Sequence, residues 1–129
     1  MFSYVTLGTA DIARARDFYD AVMAPLGHAR VAGYDDATSS AWGLDDPGPH
    51  LWVTAPFDGR APSVANGTMV SFLATTREAV DAFHAAALAH GGRDEGGPGL
   101  RPGYGPDFYA AYVRDPDGHK LNAVCYRAE

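Results

Sequence analysis

Cysteine occurs once in the 129 residues, at Cys125. That excludes an internal disulfide and any metal cluster built on several thiolates. Glutamate is nearly as scarce, with Glu78, Glu95 and Glu129 only. No apolar run approaches the roughly 18 residues that a bilayer-spanning helix needs. The opening MFSYVTLGTAD has no basic stretch followed by a long apolar one, so a secretion signal is not expected and the cytoplasm is the default compartment. Basic residues are few and scattered: ten Lys and Arg against sixteen Asp and Glu give a net charge of −6. A nucleic-acid binder would carry a basic stripe interleaved with aromatics, and none is visible. Neither nucleic acid nor membrane is expected as a partner.

What is present is an ordinary globular composition, 47% hydrophobic and 20% charged, with length enough for one domain and a real core. The chain also repeats itself. YVTLGTADIARARDFYDAVMAPLG lies over MVSFLATTREAVDAFHAAALAHGG at an offset of 65, placing Val5 on Val70, Leu7 on Phe72, Phe18 on Phe83 and Gly27 on Gly92. Each copy reads as an alternating strand, a helix and a glycine. Two modules follow, about 1–60 and about 66–129, within a single domain spanning 1–129.

The first helix is expected from about Asp11 to Ala24, with Ile12, Ala15, Tyr19, Val22 and Met23 on one face and Pro25 and Gly27 ending it. The second opens on Thr75-Thr76-Arg77-Glu78, a capping box with Thr75 as N-cap, and buries Val80, Phe83, Ala87 and Leu88. Strands are expected near 2–8, 29–34, 38–42, 50–54, 68–74, 108–114 and 119–126, with a short one near 93–95. The segments 55–67 and 95–107 read as loops, the second being too rich in glycine and proline for regular structure. Asp115-Pro116-Asp117-Gly118 has tight-turn chemistry, so FYAAYV and HKLNAVCY form a β-hairpin. Asn122 then sits mid-strand, where asparagine fits poorly unless it faces water or a polar cavity.

Paired β-α-β-β-β modules, the opening YVTLGTADIARARDFYDAVMAPLG and the closing DPDGHKLNAVCY together resemble the vicinal oxygen chelate superfamily. That group includes glyoxalase I, bleomycin-resistance and fosfomycin-resistance proteins and extradiol dioxygenases. The resemblance implies an α+β fold in which paired βαβββ modules form a curved mixed-sheet cup. In metal-using members, His or Glu on the first and last strands of the modules holds a divalent ion that polarises the substrate. Carried over, those positions fall on Tyr4, Trp52, Met69 and Asn122, with His50 in place of Trp52 if the register shifts by two. None of the four is a strong ligand for zinc, iron, nickel, magnesium or manganese, and no glutamate falls within a long predicted strand. No metal or other cofactor is therefore expected.

The histidines have structural readings. His84 and His90 lie on the second helix, His28 follows the first helix, and His119 follows the hairpin turn. Only His50 shares strand parity with Trp52. Alternation turns Tyr4, Thr6, Met69, Ser71, Tyr112 and Asn122 into the cavity, while Arg101 and Tyr104 stand beside it on the glycine-rich loop. Tyr4, His50, Trp52, Met69, Arg101, Tyr104, Tyr112 and Asn122 are thus the candidate ligand-binding residues, and no catalytic residue can be named. The leading expectation is a metal-free small-molecule-binding protein, with a homodimer implied by the resemblance. The alternative is a divalent-metal-dependent lyase, isomerase or dioxygenase of glyoxalase type, which requires His50 to recruit further ligands. A third reading is a dimerising or regulatory module.

Overall fold

The computed structural model describes all 129 residues. Eight strands and two helices follow one another as β1 (Tyr4–Gly8), α1 (Ile12–Met23), β2 (Ala29–Arg30), β3 (Ser39–Gly43), β4 (His50–Thr54), β5 (Val70–Leu73), α2 (Arg77–Ala89), β6 (Arg93–Leu100), β7 (Tyr109–Arg114) and β8 (Lys120–Cys125). Each half forms a four-stranded mixed sheet of the same topology, β1-β4-β3-β2 and β5-β8-β7-β6. In each, the first strand pairs parallel with the last, and the remaining pairs are antiparallel. The duplicated α+β fold expected from the repeat is present.

Strand alternation creates two unlike faces. Val5, Leu7, Leu51, Val53 and Trp42 of the first sheet turn toward the helices, as do Val70, Phe72, Val113, Leu121 and Cys125 of the second. Helices α1 and α2 also pack against each other, so both halves share one core of twenty buried residues with Phe18 and Phe83 at its centre. Fully burying each large apolar side chain contributes about 1.5–3 kcal/mol. That leaves the opposite face of each sheet open.

The halves are also joined by the hairpin turn between β7 and β8. Asp117 accepts from the Thr9 hydroxyl at 2.6 Å, from the Ala10 N–H at 2.9 Å and from Arg14 at 2.8 Å. Asp115, buried, accepts from the Tyr19 hydroxyl at 2.6 Å and from the N–H groups of Asp117 and His119. Burial, followed by the charge and hydrogen bond of Asp115, pushes the Tyr19 phenol well above its ordinary value. His119 Nε2 lies 2.7 Å from the Gly8 carbonyl oxygen. What the sequence presents as a turn also fastens one module to the other.

Several elements differ from expectation. Strand β6 runs through Glu95-Gly96-Gly97-Pro98-Gly99-Leu100, a segment expected to be a loop. It tolerates glycine and proline because it is an edge strand whose pairing with β7 slips at two bulges. Thr76, not Thr75, caps α2, accepting from Ala79 N–H at 3.1 Å. Leu88 is exposed and Ala79 takes its place on the buried stripe. Strand β2 stops at Arg30, because Gly33 turns the chain with φ +88°. The repeat offset holds at 65 through the helices and becomes 64 afterwards. The left-handed counterpart of Gly27 is accordingly Gly91, and Gly92 has a different role, close packing.

Candidate functional site

The open face of the first sheet is set by register. Tyr4 pairs with His50 and Thr6 with Trp52, while Ser39 and Ala41 face Thr54 and Trp52 from β3. Tyr4, Thr6, Ser39, Trp52 and Thr54 line a groove of about 340 Å³. Its lining offers the Trp52 indole, a phenol and three aliphatic hydroxyls, of which Ser39 and Thr54 lie 2.6 Å apart. Tyr34 leans over Trp52 with ring centres 4.9 Å apart and planes 32° apart. Such a surface matches a flat organic molecule that offers a few polar atoms at its rim.

Tyr34 was not legible as a site residue. The sequence placed it at the end of a strand, whereas the turn at Gly33 swings it across to β4. It also meets His50 edge-on at 5.6 Å and donates its hydroxyl proton to Asp46, whose hydrogen bond, with smaller contributions from desolvation and charge, holds the Tyr34 phenol above its ordinary value.

His50 is 8% exposed, and its Nε2 stands 2.7 Å from the Leu44 carbonyl oxygen. A carbonyl can only accept, so Nε2 carries the hydrogen and the ring is tied to the loop between β3 and β4. Tyr4, 61% exposed, also borders a second opening of about 300 Å³ where β1 approaches β5, together with Phe2, His50, Ser71 and Leu73.

The second sheet presents a different surface. Met69 lies just ahead of β5, 42% exposed. Tyr112 and Asn122 are ladder partners. Arg101 folds back along β6, donating to the carbonyls of Gly97 at 2.7 Å and Gly99 at 2.9 Å, with its guanidinium carbon 5.5 Å from the centre of the Tyr112 ring. Tyr104, 75% exposed, rests on Phe108 at 5.3 Å, and Phe108 meets Tyr126 at 5.4 Å. Asn122 is 1% exposed, and its side-chain oxygen has no hydrogen-bond partner. The structure thus brings Tyr4 together with Trp52 and with His50, and Arg101 together with Tyr112. It does not place the eight candidate residues in one pocket.

The superfamily's sequence profile, described as Glyoxalase/Bleomycin resistance protein/Dioxygenase superfamily, matches residues 2–123. The chain belongs to this superfamily. A glyoxalase/bleomycin resistance protein from Albidiferax ferrireducens T118 is similar over 98% of both chains, with 35% identity and a TM-score of 0.86. Glyoxalase I from Zea mays is similar in fold, with a TM-score of 0.70 at 23% identity over 96% of this chain and 45% of that one. Lactoylglutathione lyase from Agrobacterium tumefaciens shares the fold at 18% identity, covering 97% of this chain and 92% of that one, with a TM-score of 0.64. No curated protein matches the chain.

The superfamily's metal-using members raise the question whether this chain's donor atoms suit a divalent ion. At the four corresponding positions stand a phenol, an indole, a thioether and a carboxamide. The indole has no lone pair to give, the thioether is soft, and a phenol is a poorer ligand than imidazole or carboxylate. The carboxamide oxygen is the one unpartnered hard donor. Nowhere in the chain do three or more His, Cys, Asp or Glu side chains come together in a group that could hold a metal ion. These side chains do not fit a divalent cation.

Proposed function

We propose that this superfamily member is a metal-free small-molecule-binding protein whose ligand lies on the aromatic face of the first sheet. The observation that carries this reading is the Trp52–Tyr34 stack over a groove edged by Tyr4, Thr6, Ser39 and Thr54. Stacking a planar group on Trp52 removes apolar area from water on both partners. The hydroxyl groups fix the ligand's orientation without charge. His50 holds Tyr34 in place beside this face, its own ring tied to the Leu44 carbonyl. Of the candidate residues, Tyr4 and Trp52 belong to this stacking surface, while Arg101, Tyr112 and Asn122 lie together on the second sheet. The working unit is taken as a homodimer in the cytoplasm. In the structure, no helix is long and apolar enough to cross a membrane.

Trp52→Ala is expected to weaken binding of a neutral aromatic amide such as phenylacetamide by about thirtyfold, roughly 2 kcal/mol, the cost of truncating a central aromatic anchor. Isothermal titration of wild type and variant checks it. Equal affinity in the two proteins would remove the aromatic face from the binding site.

A further inference from the structure

The open face of the second sheet is positively charged in a protein of net charge −6. Ladder register sets Lys120 beside Arg114 and Arg114 beside Arg93, three cations in a row across β8, β7 and β6. Like charges directly opposite one another destabilise a sheet. Only one carboxylate answers them: Glu95, which accepts from Arg114 Nε at 2.9 Å. Its carboxyl is held below the ordinary value first by that hydrogen bond, with the charges of Arg114, Lys120 and Arg93 adding to it. Asp94 is taken by His84 at 2.8 Å.

Arg101 adds a fourth cation beside Tyr112, two residues along β7 from Arg114. Arg101 and Lys120 both approach the Tyr112 ring, at 5.5 Å and 5.8 Å from its centre, and neither has a carboxylate within 4.0 Å. The Arg101 guanidinium is held in place by backbone carbonyls. The glycines beneath it leave it room: a Cβ at Gly99 would stand 3.2 Å from one guanidinium nitrogen. The cation is therefore positioned before any anion arrives, which lowers the ordering cost of binding.

We propose that Arg101 and Lys120, converging on Tyr112, form an anion site that takes the carboxylate or phosphate of a small organic acid. The anion site stands on the second sheet alone and goes beyond the aromatic-face reading of the first. The ligand class at this site is a small organic acid, and no chemical step is implied.

Phenylacetate and phenylacetamide have the same shape and differ in charge, so their affinities isolate the anion site. Wild-type protein is expected to bind phenylacetate at least about tenfold more tightly, the effect of one charge-assisted hydrogen bond. That ratio is expected to fall toward one in the double variant Arg101→Met/Lys120→Met. Without any substitution, it is also expected to shrink as salt rises from about 0.05 to 0.5 M. Trp52→Ala, on the first sheet, should leave the response of the anion site intact. Inorganic phosphate, followed by amide chemical shifts of residues 96–101, 112 and 120, tests the anion site with no aromatic group present. Saturable shifts lost in the double variant uphold the site even if neither phenyl probe binds, an outcome that would instead count against the aromatic face. Equal affinities for the two phenyl probes, a preference unchanged in the double variant, or no response to either phosphate or phenylacetate would overturn the proposal.

Discussion

Asp115→Ala is expected to destabilise the protein by about 3–5 kcal/mol, the cost of stripping a buried network of its acceptor. The carboxylate is 3% exposed and serves three donors, the Tyr19 hydroxyl and the N–H groups of Asp117 and His119. Alanine leaves all three without a partner in the core between the modules. The turn that presents Asp117 to Thr9, Ala10 and Arg14 loosens with it, so the loss exceeds that of one hydrogen bond. Urea denaturation of the variant measures this, with a drop in melting temperature on the order of 10 °C or more. A loss below about 1 kcal/mol would mean the turn is only a hairpin.

The same residue gives a pH signature. Burial raises the folded Asp115 carboxyl above its ordinary value of 3.8, more than the Tyr19 hydrogen bond, His119 and the backbone N–H pull it down. The native state therefore binds this proton more tightly than the unfolded chain does. Stability from this group is highest below the unfolded value and falls as pH rises toward the raised one. Asp115→Asn keeps an acceptor for the two N–H groups and has no charge to bury, so the fall with pH attributable to this position is expected to vanish. Denaturation curves from about pH 3.5 to 7 for the two proteins make the comparison.

The second large effect is expected at Gly92, just past α2. A Cβ there would stand 2.8 Å from the carbonyl oxygens of Ala87 and Arg114 and 2.8 Å from the Phe18 ring. Two of those neighbours are backbone and cannot swing aside. The Gly92 N–H also donates to Ala87 at 2.8 Å, so the chain cannot back away without losing that bond. Gly92→Ala is expected to cost about 3 kcal/mol through overpacking. Gly97→Ala, whose Cβ would meet nothing within 4 Å, is its control and is expected to stay within about 0.5 kcal/mol of wild type. Comparable melting temperatures for the two variants would contradict the packing argument.

These sites show what a sequence can and cannot convey. The repeat and the alternation of Val5, Leu7, Val70 and Phe72 reveal the duplicated fold because burial on one sheet face imposes a period of two. Strand β6 was hidden because its pairing depends on β7 alone and not on its own glycine-rich composition. Thr76 was missed by one position because two adjacent threonines carry the same capping chemistry. The tie from Asp115 and Asp117 to α1 joins residues about a hundred positions apart, and turn propensity accounts for both aspartates without it.

The site was partly readable for the same reason. Tyr4, Trp52, Tyr112 and Asn122 follow from strand parity, whereas Arg101 is read only as part of a loop beside the cavity, and its approach to Tyr112 is not read at all. Tyr34 depends on how the chain turns at Gly33. The cationic row Arg93–Arg114–Lys120 depends on register across three strands, so no linear motif announces it.

The most direct test of the metal-free reading is the metal content of freshly purified protein, combined with melting scans against nickel, zinc, manganese and ferrous iron. The expected result is far less than one metal ion per chain and no rise in melting temperature, because no donor set at Tyr4, Trp52, Met69 and Asn122 rewards binding to the native state. Close to one ion per chain with a clear stabilising shift, both lost in His50→Ala, would contradict the account and place a metal centre where an organic ligand is proposed.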